Sequence, residues 1–299
     1  MDDGELLIRR FEQDRPRLRA VAYRMLGSLA EADDALQEAW LRAEAAGLAG
    51  VENPGGWLTT IVSRVCLNML RSRDRRREDS PDDRPTEPGA DDGSSGTDPE
   101  EEAMTADSVG VALLVVLDTL GPAERLAFVL HDLFAVPFED IAPMLERTPA
   151  AVRQLASRAR RRVRGGAPGP GTGAAGTDAP RRRQVVTAFL AATRGGDFEA
   201  LVSLLHPDVV LHADRWVVPT PEPIVVAGGR AVAEGALAAM GRASFTGLAL
   251  LDGAMGLVMA PAGRLRLVLA FEMTDGLIAA IEVVAAPERL AALEVGVPE

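Results

Sequence analysis

Residues 136–166, VPFEDIAPMLERTPAAVRQLASRARRRVRGG, contain the pattern that decides how the middle of this 299-residue chain folds. Thr148 followed by Pro149 is typical of a helix start, because a hydroxyl caps free backbone amides and proline presets φ. Apolar residues then recur at helical spacing and form one face of a helix that a pair of glycines ends. A shorter amphipathic helix over residues 138–145 precedes it across a short turn. This pattern predicts a helix-turn-helix, a motif whose second helix enters the DNA major groove.

The solvent side of that second helix carries side chains suited to nucleic acid. Arg and Gln can bond bidentately to guanine and adenine edges in the major groove. The alternative is a solvated arginine face on an ordinary bundle helix, but the turn spacing and the cap favour DNA binding. The candidate DNA contacts are Thr148, Pro149, Arg153, Gln154, Ser157, Arg158 and Arg161.

The charge of the chain is unevenly distributed. The net charge is −12, which by itself argues against a nucleic-acid partner. Residues 78–107, however, carry 12 acidic residues and one Arg, so most of the net negative charge of the chain lies in this one segment. The overall sign of the charge therefore says little about partners.

The cysteine content and the apolar runs of the sequence indicate the compartment in which the protein works. The single cysteine, Cys66, excludes an internal disulfide and fits a reducing cytosol. No apolar run approaches the roughly 18 residues of a membrane helix, and no signal peptide is evident. We therefore expect a soluble, cytoplasmic protein. No spacing of His or Cys suggests a metal site, and no cofactor is predicted.

The first part of the chain is predicted to be helical. Residues 30–45 form an acidic helix that contains Trp40, and acidic residues also suit a helix N-terminus on electrostatic grounds alone. The loop at residues 52–56 leads into an apolar helix that begins at Trp57 and runs into a cluster of arginines at residues 71–77.

The order of these segments resembles that of a bacterial sigma factor of the small, two-domain extracytoplasmic-function group. The matching segments are an acidic-aromatic helix (DDALQEAWLRA), an NP-x-x-WL helix ending in arginines, a linker, and a helix-turn-helix (RTPAAVRQLASRARRRV). The resemblance covers residues 5–77 and 108–165, and it rests on the order and spacing of the motifs. It departs from the family at Glu146, which stands where the turn usually has glycine, and at Pro143 inside the preceding helix. A positive φ at Glu146 would cost about 1–2 kcal/mol.

The resemblance implies roles for two further sets of residues. A loop with an aromatic side chain suits an unstacked base, and arginines suit phosphates, although Trp57 is expected to belong mainly to the core. The resemblance implies that one set of residues binds the clamp helices of core RNA polymerase. This set is Asp33, Asp34, Gln37, Glu38 and Trp40. The resemblance implies that a second set of residues opens the −10 promoter element. This set is Asn53, Pro54, Trp57, Thr60, Arg64, Asn68, Arg71 and Arg73.

The C-terminal part has a different character, because its residues pass from helices to runs typical of strands. Asp252–Gly253 and Asp275–Gly276 are predicted to be hairpin turns of an antiparallel sheet. The segment GGDFEALVSLLHPDVVLHAD resembles the SnoaL-like polyketide-cyclase fold, which is fused to a subgroup of these sigma factors. The resemblance implies a built-in regulator in intramolecular contact with the sigma domains, so a separate anti-sigma factor is not expected.

The sequence therefore predicts a multidomain chain: two all-α sigma domains, the second with a helix-turn-helix, followed by an α+β SnoaL-like cone. The expected boundaries are 1–77 and 108–165 for the sigma domains and 181–299 for the cone, with an acidic linker at 78–107 and a Gly/Pro/Ala linker at 166–180. The linkers are expected to be flexible. The expected function is promoter-specific transcription initiation with core RNA polymerase.

Two alternatives remain open at this point. The first is a helix-turn-helix regulator that binds DNA alone and uses the cone as a ligand sensor. The second is an enzyme carried by the cone. His212 and Asp214 lie two apart on a predicted strand, so they would share a face and point into the cone cavity, where the pair would serve as a general base.

Overall fold

The computed structural model describes residues 3–79, 110–165 and 179–298, except residues 219 and 221. The chain divides into two compact units. The helical unit comprises residues 1–98 and 117–160, and the cone unit comprises residues 99–116 and 161–299. Most of the acidic linker and most of the second linker lie outside the described residues.

The N-terminal part of the helical unit is a three-helix bundle: α1 (Asp3–Leu26), α2 (Leu29–Ala46) and α3 (Pro54–Asp79). One apolar stripe of α1, which includes Leu18, Val21 and Met25, is fully buried. Burying an aliphatic side chain of this size contributes about 1.5–3 kcal/mol, so the stripe holds α1 against its neighbours.

The single cysteine of the chain belongs to this core. Cys66 lies in α3 and has no exposed surface. Burial raises the pKa of the Cys66 thiol well above its usual range. The side chain therefore behaves as a small apolar residue.

The rest of the helical unit contains shorter helices. These are the C-terminal part of α4 (Val111–Thr119), α5 (Pro122–Phe128), a π-helical turn (Val129–Leu133), α6 (Phe138–Leu145) and most of α7 (Pro149–Val163). The sequence predicts one continuous helix from Pro122 through Phe134, and the structure instead widens its second half into the π-helical turn. The His131 ring, which belongs to that turn, stacks on Phe138 of α6, with 3.7 Å between the ring centroids. Among the described helices, none has both the length and the hydropathy that a membrane crossing requires.

The cone unit packs helices against one seven-stranded sheet, with strand order β2-β1-β6-β5-β4-β3-β7. Its helices are α8 (Ala179–Gly195), α9 (Phe198–Leu204), α10 (Gly229–Ala238), α11 (Met240–Ala243) and α12 (Pro287–Ala292). Its strands are β1 (Leu205–Ala213), β2 (Ile224–Ala227), β3 (Thr246–Leu251), β4 (Ala254–Met259), β5 (Leu267–Thr274), β6 (Leu277–Val284) and β7 (Val295–Gly296). This is the expected α+β architecture.

The hairpins of the sheet follow the predicted turn chemistry. Asp252 and Gly253 have φ values of 48° and 83°, and Asp275 and Gly276 have φ values of 53° and 81°. Positive φ at both central residues is the geometry that matches the twist of a two-residue hairpin, and Asp-Gly tolerates it. The turns between β3 and β4 and between β5 and β6 are therefore confirmed.

The expectation of an antiparallel sheet is wrong for one pair of strands. β1 pairs with β6 in parallel, with Leu211 opposite Ile281 and Ala213 opposite Val283. Parallel neighbours need a long connection, and the whole segment that contains β2 to β5 supplies it. The short strands β2 and β7 were not predicted, and β7 pairs with β3 through two residues.

The core of the cone lies between α8 and the sheet. The rings of Phe189 on α8 and Phe271 on β5 meet edge to face, with 5.5 Å between centroids. Val186, Leu201 and Ile278 are buried beside them. α8 therefore closes one side of the sheet and positions the cavity described below.

Candidate nucleic-acid interface

The turn between α6 and α7 has the predicted geometry of a helix-turn-helix. Glu146 adopts φ 54° and ψ 42°, the left-handed conformation that costs a non-glycine residue about 1–2 kcal/mol. Thr148 Oγ1 accepts a hydrogen bond from the Ala151 amide at 3.3 Å, so the predicted cap is confirmed. Pro143 lies within α6 and does not end it. The motif therefore forms despite both departures from the family pattern.

α7 buries one face and leaves the other to solvent. Val152 and Leu155 are buried on the inner face and hold the helix against the unit. The predicted contact residues beyond the first turn are all exposed: Arg153, Gln154, Ser157, Arg158 and Arg161. These side chains together form one continuous exposed face of α7.

Two of the arginines among the predicted contacts of α7 have partners within the unit. The Arg158 Nε donates to Glu124 Oε1 at 2.7 Å, and the Arg153 guanidinium lies 5.2 Å from the centroid of the Phe138 ring. An exposed ion pair contributes about 0–1 kcal/mol, so a phosphate can replace the Glu124 carboxylate at little cost. The stack on Phe138 orients Arg153 along the edge of α6.

A second exposed surface lies on α2. Asp34, Gln37 and Glu38 are exposed, and with them stands Leu41, whose side chain is 57% exposed. Glu38 forms an ion pair with Arg42 one turn later. The exposed face of α2 thus combines two carboxylates, an amide and one apolar side chain.

Asp33 and Trp40 differ from the other predicted residues of α2, because both have partners in the bundle. Arg19 donates to both carboxylate oxygens of Asp33, at 2.8 and 2.9 Å. The half-buried Trp40 ring packs edge-on against Phe11, with 5.1 Å between centroids. Both side chains are therefore held in place by residues of α1.

A groove of about 410 Å³ between α1 and α2 extends this surface. Ile8 and Trp40 contribute apolar walls, and Asp34 and Gln37 line the polar edge. Ile8 is 54% exposed. Neither Ile8 nor Leu41 was among the predicted contacts, although the helical phase of Leu41 places it on the same side as Asp34 and Gln37.

The start of α3 is held by its own loop. The Gly56 amide donates to Asn53 Oδ1 at 3.1 Å, so Asn53 caps the helix. Trp57 is half-buried, and the Thr60 hydroxyl donates to the Gly56 carbonyl at 3.0 Å. The predicted base-binding loop is thus ordered by side chains that belong to the same candidate set.

Further along α3, the predicted polar residues divide into two groups. Arg64, Asn68 and Arg71 are exposed. Arg73 is only 14% exposed and forms an ion pair with Glu31 of α2. The guanidinium of Arg73 therefore joins α2 to α3 rather than standing free on the surface.

The loop before α3 faces α6 across a cavity of about 500 Å³. Asn53, Trp57 and Thr60 line one side, and Pro137 and Asp140 line the other. The Arg64 NH2 group also lies 3.5 Å from the Pro143 carbonyl oxygen. α6 therefore partly covers the candidate residues at the start of α3.

The expectation that His212 and Asp214 point into the cone cavity is wrong. The cavity is lined by Leu211 and Ala213, the alternate residues of β1, and His212 is exposed. Successive side chains of a strand face opposite sides, so a prediction one residue out of phase turns every side chain over. Asp214 accepts hydrogen bonds from the amides of Ala285 and Ala286, both at 2.8 Å, and acts as a structural cap.

Comparisons with known proteins agree with this architecture. The model of sigma-70 region 2 matches residues 10–76, and that of sigma-70 region 4 matches residues 110–163. The ECF RNA polymerase sigma factor SigJ of Mycobacterium tuberculosis is 44% identical over 204 residues, which are 68% of this chain and 64% of SigJ. The probable ECF RNA polymerase sigma factor SigI of the same species is 36% identical over 194 residues, 65% of each chain.

Among solved structures, the crystal structure of Mycobacterium tuberculosis SigJ has 32% sequence identity and a TM-score of 0.44, and the match covers 95% of this chain and 98% of that one. Two helical domains in the order region 2 and region 4, the second with a helix-turn-helix, define the sigma-70 class. The chain belongs to the extracytoplasmic-function sigma factors of that class. It spans 64% and 65% of the length of the two curated relatives named above.

Proposed function

We propose that this chain is a sigma factor that binds core RNA polymerase, directs it to promoters, and has its activity modulated by its own C-terminal domain. The observation that carries the proposal is the presence, on one chain, of an exposed acidic and apolar face on α2 and an exposed Arg/Gln face on α7. A regulator that binds DNA alone needs only the second of these faces. We place the action of the protein in the cytoplasm, where core RNA polymerase works.

Each surface has a distinct role in this proposal. Asp34, Gln37 and Glu38 contact the clamp helices of core polymerase, with Leu41 at the centre of the contact, while Asp33 and Trp40 support them. The start of α3 receives an unstacked base of the −10 element, and its exposed arginines hold the adjacent phosphates. α7 reads the −35 element in the major groove.

Each predicted domain has its own target in this proposal. Residues 1–77 act on polymerase and the −10 element, and residues 108–165 act on the −35 element. Residues 181–299 regulate the other two. The linkers at 78–107 and 166–180 allow the three parts to engage separate targets.

The polymerase contact is tested by reversing charge on α2. Asp34→Arg with Glu38→Arg should lower the affinity for core polymerase by at least tenfold, because like charge across an interface costs several kcal/mol. The fold should survive, since both side chains are exposed and the Glu38 ion pair is worth under about 1 kcal/mol. Affinity is measured by titrating labelled core enzyme, and output by in vitro transcription from a promoter library.

A matched control reverses two carboxylates elsewhere. Glu199→Arg with Glu234→Arg changes the net charge equally on exposed residues of the cone. Core affinity in this control should stay at the wild-type value. If the α2 variant and the control bind core polymerase equally well, α2 is not the contact surface and the proposal fails.

A further inference from the structure

The cone unit contains a cavity of about 280 Å³ between α8, α10 and the sheet. Side chains from β1, β2, β4, β5 and β6 form its floor, and Leu211, Val226, Leu257 and Ile281 are typical of them. Nearly all of its lining is apolar. The volume is slightly below the range of about 300–1,000 Å³ that small-molecule sites occupy, so the cavity fits only a small ligand.

Polar groups in the described lining are few, and two of the three are already engaged. The Thr193 hydroxyl donates to the Phe189 carbonyl at 2.9 Å, and the Thr246 hydroxyl donates to the Arg242 carbonyl at 3.0 Å. The third is the Arg242 side chain, which is exposed and forms no ion pair with any described residue. Arg242 is thus the only charged group of the described lining.

The position of Arg242 is fixed by a neighbouring arginine. Arg194 on α8 donates from Nε to the Ala243 carbonyl at 3.0 Å and from NH2 to the Thr246 carbonyl at 2.7 Å. These bonds hold the end of α11, and with it the backbone of Arg242, against α8. The cation at the edge of the cavity is therefore carried by an anchored segment.

Water is a poor occupant of this space. A volume of 280 Å³ equals that of about nine waters at roughly 30 Å³ each. A buried water needs two to four polar partners, and the described walls offer few beyond Arg242. An apolar molecule that fills the cavity removes apolar surface from water without leaving polar groups unpaired.

We propose that the cone cavity binds a small amphiphilic monocarboxylate. The apolar part of this molecule has about eight carbons and occupies the cavity. This size follows from the cavity volume, which equals that of about nine waters. The carboxylate lies at the edge of the cavity and pairs with the guanidinium of Arg242, which offers a planar pair of donors to two oxygens. The described lining has no carboxylate, imidazole or thiol, so the site is one of binding rather than turnover. This inference is independent of the roles proposed for α2 and α7.

The test uses the full-length chain and three probes of equal chain length: octanoate, 1-octanol and octylamine. Calorimetric titration should show saturable binding of octanoate at a ratio of one per chain, and octylamine should bind at least tenfold more weakly. Arg242→Gln should lower octanoate affinity by about tenfold or more, since hydrogen bonds to charged groups are the stronger ones. The same change should leave the affinity for 1-octanol unaltered.

Two further variants complete the design. Ala236→Leu adds volume inside the cavity and should abolish binding of octanoate and 1-octanol while the protein stays folded. Arg266→Gln removes an exposed charge of the same unit that does not line the cavity, and it should bind octanoate like the wild type. The proposal is overturned if the wild type shows no saturable octanoate binding, if Arg242→Gln binds octanoate unchanged, or if Ala236→Leu retains full affinity.

Discussion

Arg125 holds three separate parts of the helical unit together with one side chain. Its guanidinium donates to the Leu117 carbonyl at the end of α4, to Asp118 at 3.1 Å, and to the Met25 carbonyl of α1 at 2.8 Å. The side chain is 3% exposed. Burial lowers the pKa of Arg125, and the Asp118 carboxylate opposes that shift. A charge so deeply buried is tolerable because each of the three guanidinium nitrogens donates a hydrogen bond.

Removing this guanidinium should destabilise the helical unit strongly. Arg125→Met keeps much of the apolar stem but removes the hydrogen bonds that Arg125 donates to Asp118 and to two carbonyls. Breaking a buried, hydrogen-bonded charge pair costs about 3–5 kcal/mol. We therefore expect the free energy of unfolding of this unit to fall by about 3 kcal/mol, measured by urea denaturation with a helix signal.

The control for Arg125 is an arginine that the structure leaves in solvent. Arg9 lies on α1 and is exposed, so Arg9→Met should change the unfolding free energy by less than about 0.5 kcal/mol. Equal losses in the two variants would mean that the Arg125 bonds contribute nothing beyond a surface charge.

Within the single element α7, the predicted DNA-contacting side chains differ in whether they already have a partner in the protein. Arg153 is stacked on Phe138 and Arg158 is paired with Glu124, whereas Gln154 is exposed between them in sequence. An amide contact to adenine discriminates bases by its geometry, and a phosphate contact does not. Gln154 is thus the best single residue with which to separate base recognition from general affinity.

Gln154→Ala should relax base preference at one position of the −35 element. The expected loss on the preferred sequence is about 1–3 kcal/mol, with little change on sequences that already differ there. Arg161→Ala serves as the comparison, because a lost phosphate contact weakens binding to all sequences alike and lowers the salt slope by about one. Affinities are measured by competition binding over a set of single-base variants at two salt concentrations. A uniform loss for Gln154→Ala would assign this residue to the backbone instead.

The elements that local chemistry determines could be predicted from the sequence. Both Asp-Gly hairpins and the Thr148 cap follow from turn and cap preferences over a few residues. The phase of β1 could also be predicted, because Leu205, Val209 and Ala213 belong to an apolar set of alternate residues, whereas His206, Asp208 and His212 fall in the other set. The assignment of the cavity to His212 and Asp214 followed the chemistry of the two side chains and disregarded this alternation. The exposure of Ile8 and Leu41 depends on packing between helices and was also missed.

On the scale of the whole molecule, the cone unit includes chain segments from both ends of the matched region 4. The Val297 amide donates to the Val163 carbonyl at 3.0 Å, which ties the C-terminal strand to the end of α7. A Cβ atom built at Gly247 on β3 would lie 2.8 Å from Val111 Cβ. The start of α4 therefore rests directly on the backbone of β3, and only glycine permits so close an approach.

Gly247→Ala should loosen the start of α4 from the sheet. A contact of 2.8 Å between carbon atoms is too short to persist, so the segment that begins at Val111 has to move. Overpacking of this kind costs about 1–3 kcal/mol. Amides of residues 111–119 should then exchange with solvent deuterium about tenfold faster or more, because each 1.4 kcal/mol is worth about a factor of ten.

Gly241→Ala provides the matched change for this experiment. A Cβ atom at Gly241 meets nothing within 4 Å, so exchange in residues 111–119 should remain at the wild-type rate. Similar exchange rates in the two variants would show that Val111 does not depend on the close approach to β3.

Contacts between distant parts of the sequence could not be predicted. Arg125 and Met25 are 100 residues apart, and an arginine inside an amphipathic helix looks like any other surface charge until its partners are known. The parallel pairing of β1 and β6 likewise depends on the return of the chain through four intervening strands. Sequence patterns determine the faces of elements, and the partners of those faces are decided by the fold as a whole.

The complete burial of Cys66 gives the protein an internal reporter. The chain has one thiol, so an alkylating reagent has a single target, and that target is shielded while α3 stays packed. Modification then requires a transient opening of the bundle, and its rate measures how often the opening occurs. Any ligand, promoter fragment or polymerase subunit that binds only the packed bundle lowers the population of the open state, and it slows labelling by a factor of about one plus the ratio of its free concentration to its Kd. One mass measurement of the intact chain over time would therefore follow the engagement of this unit without any added probe.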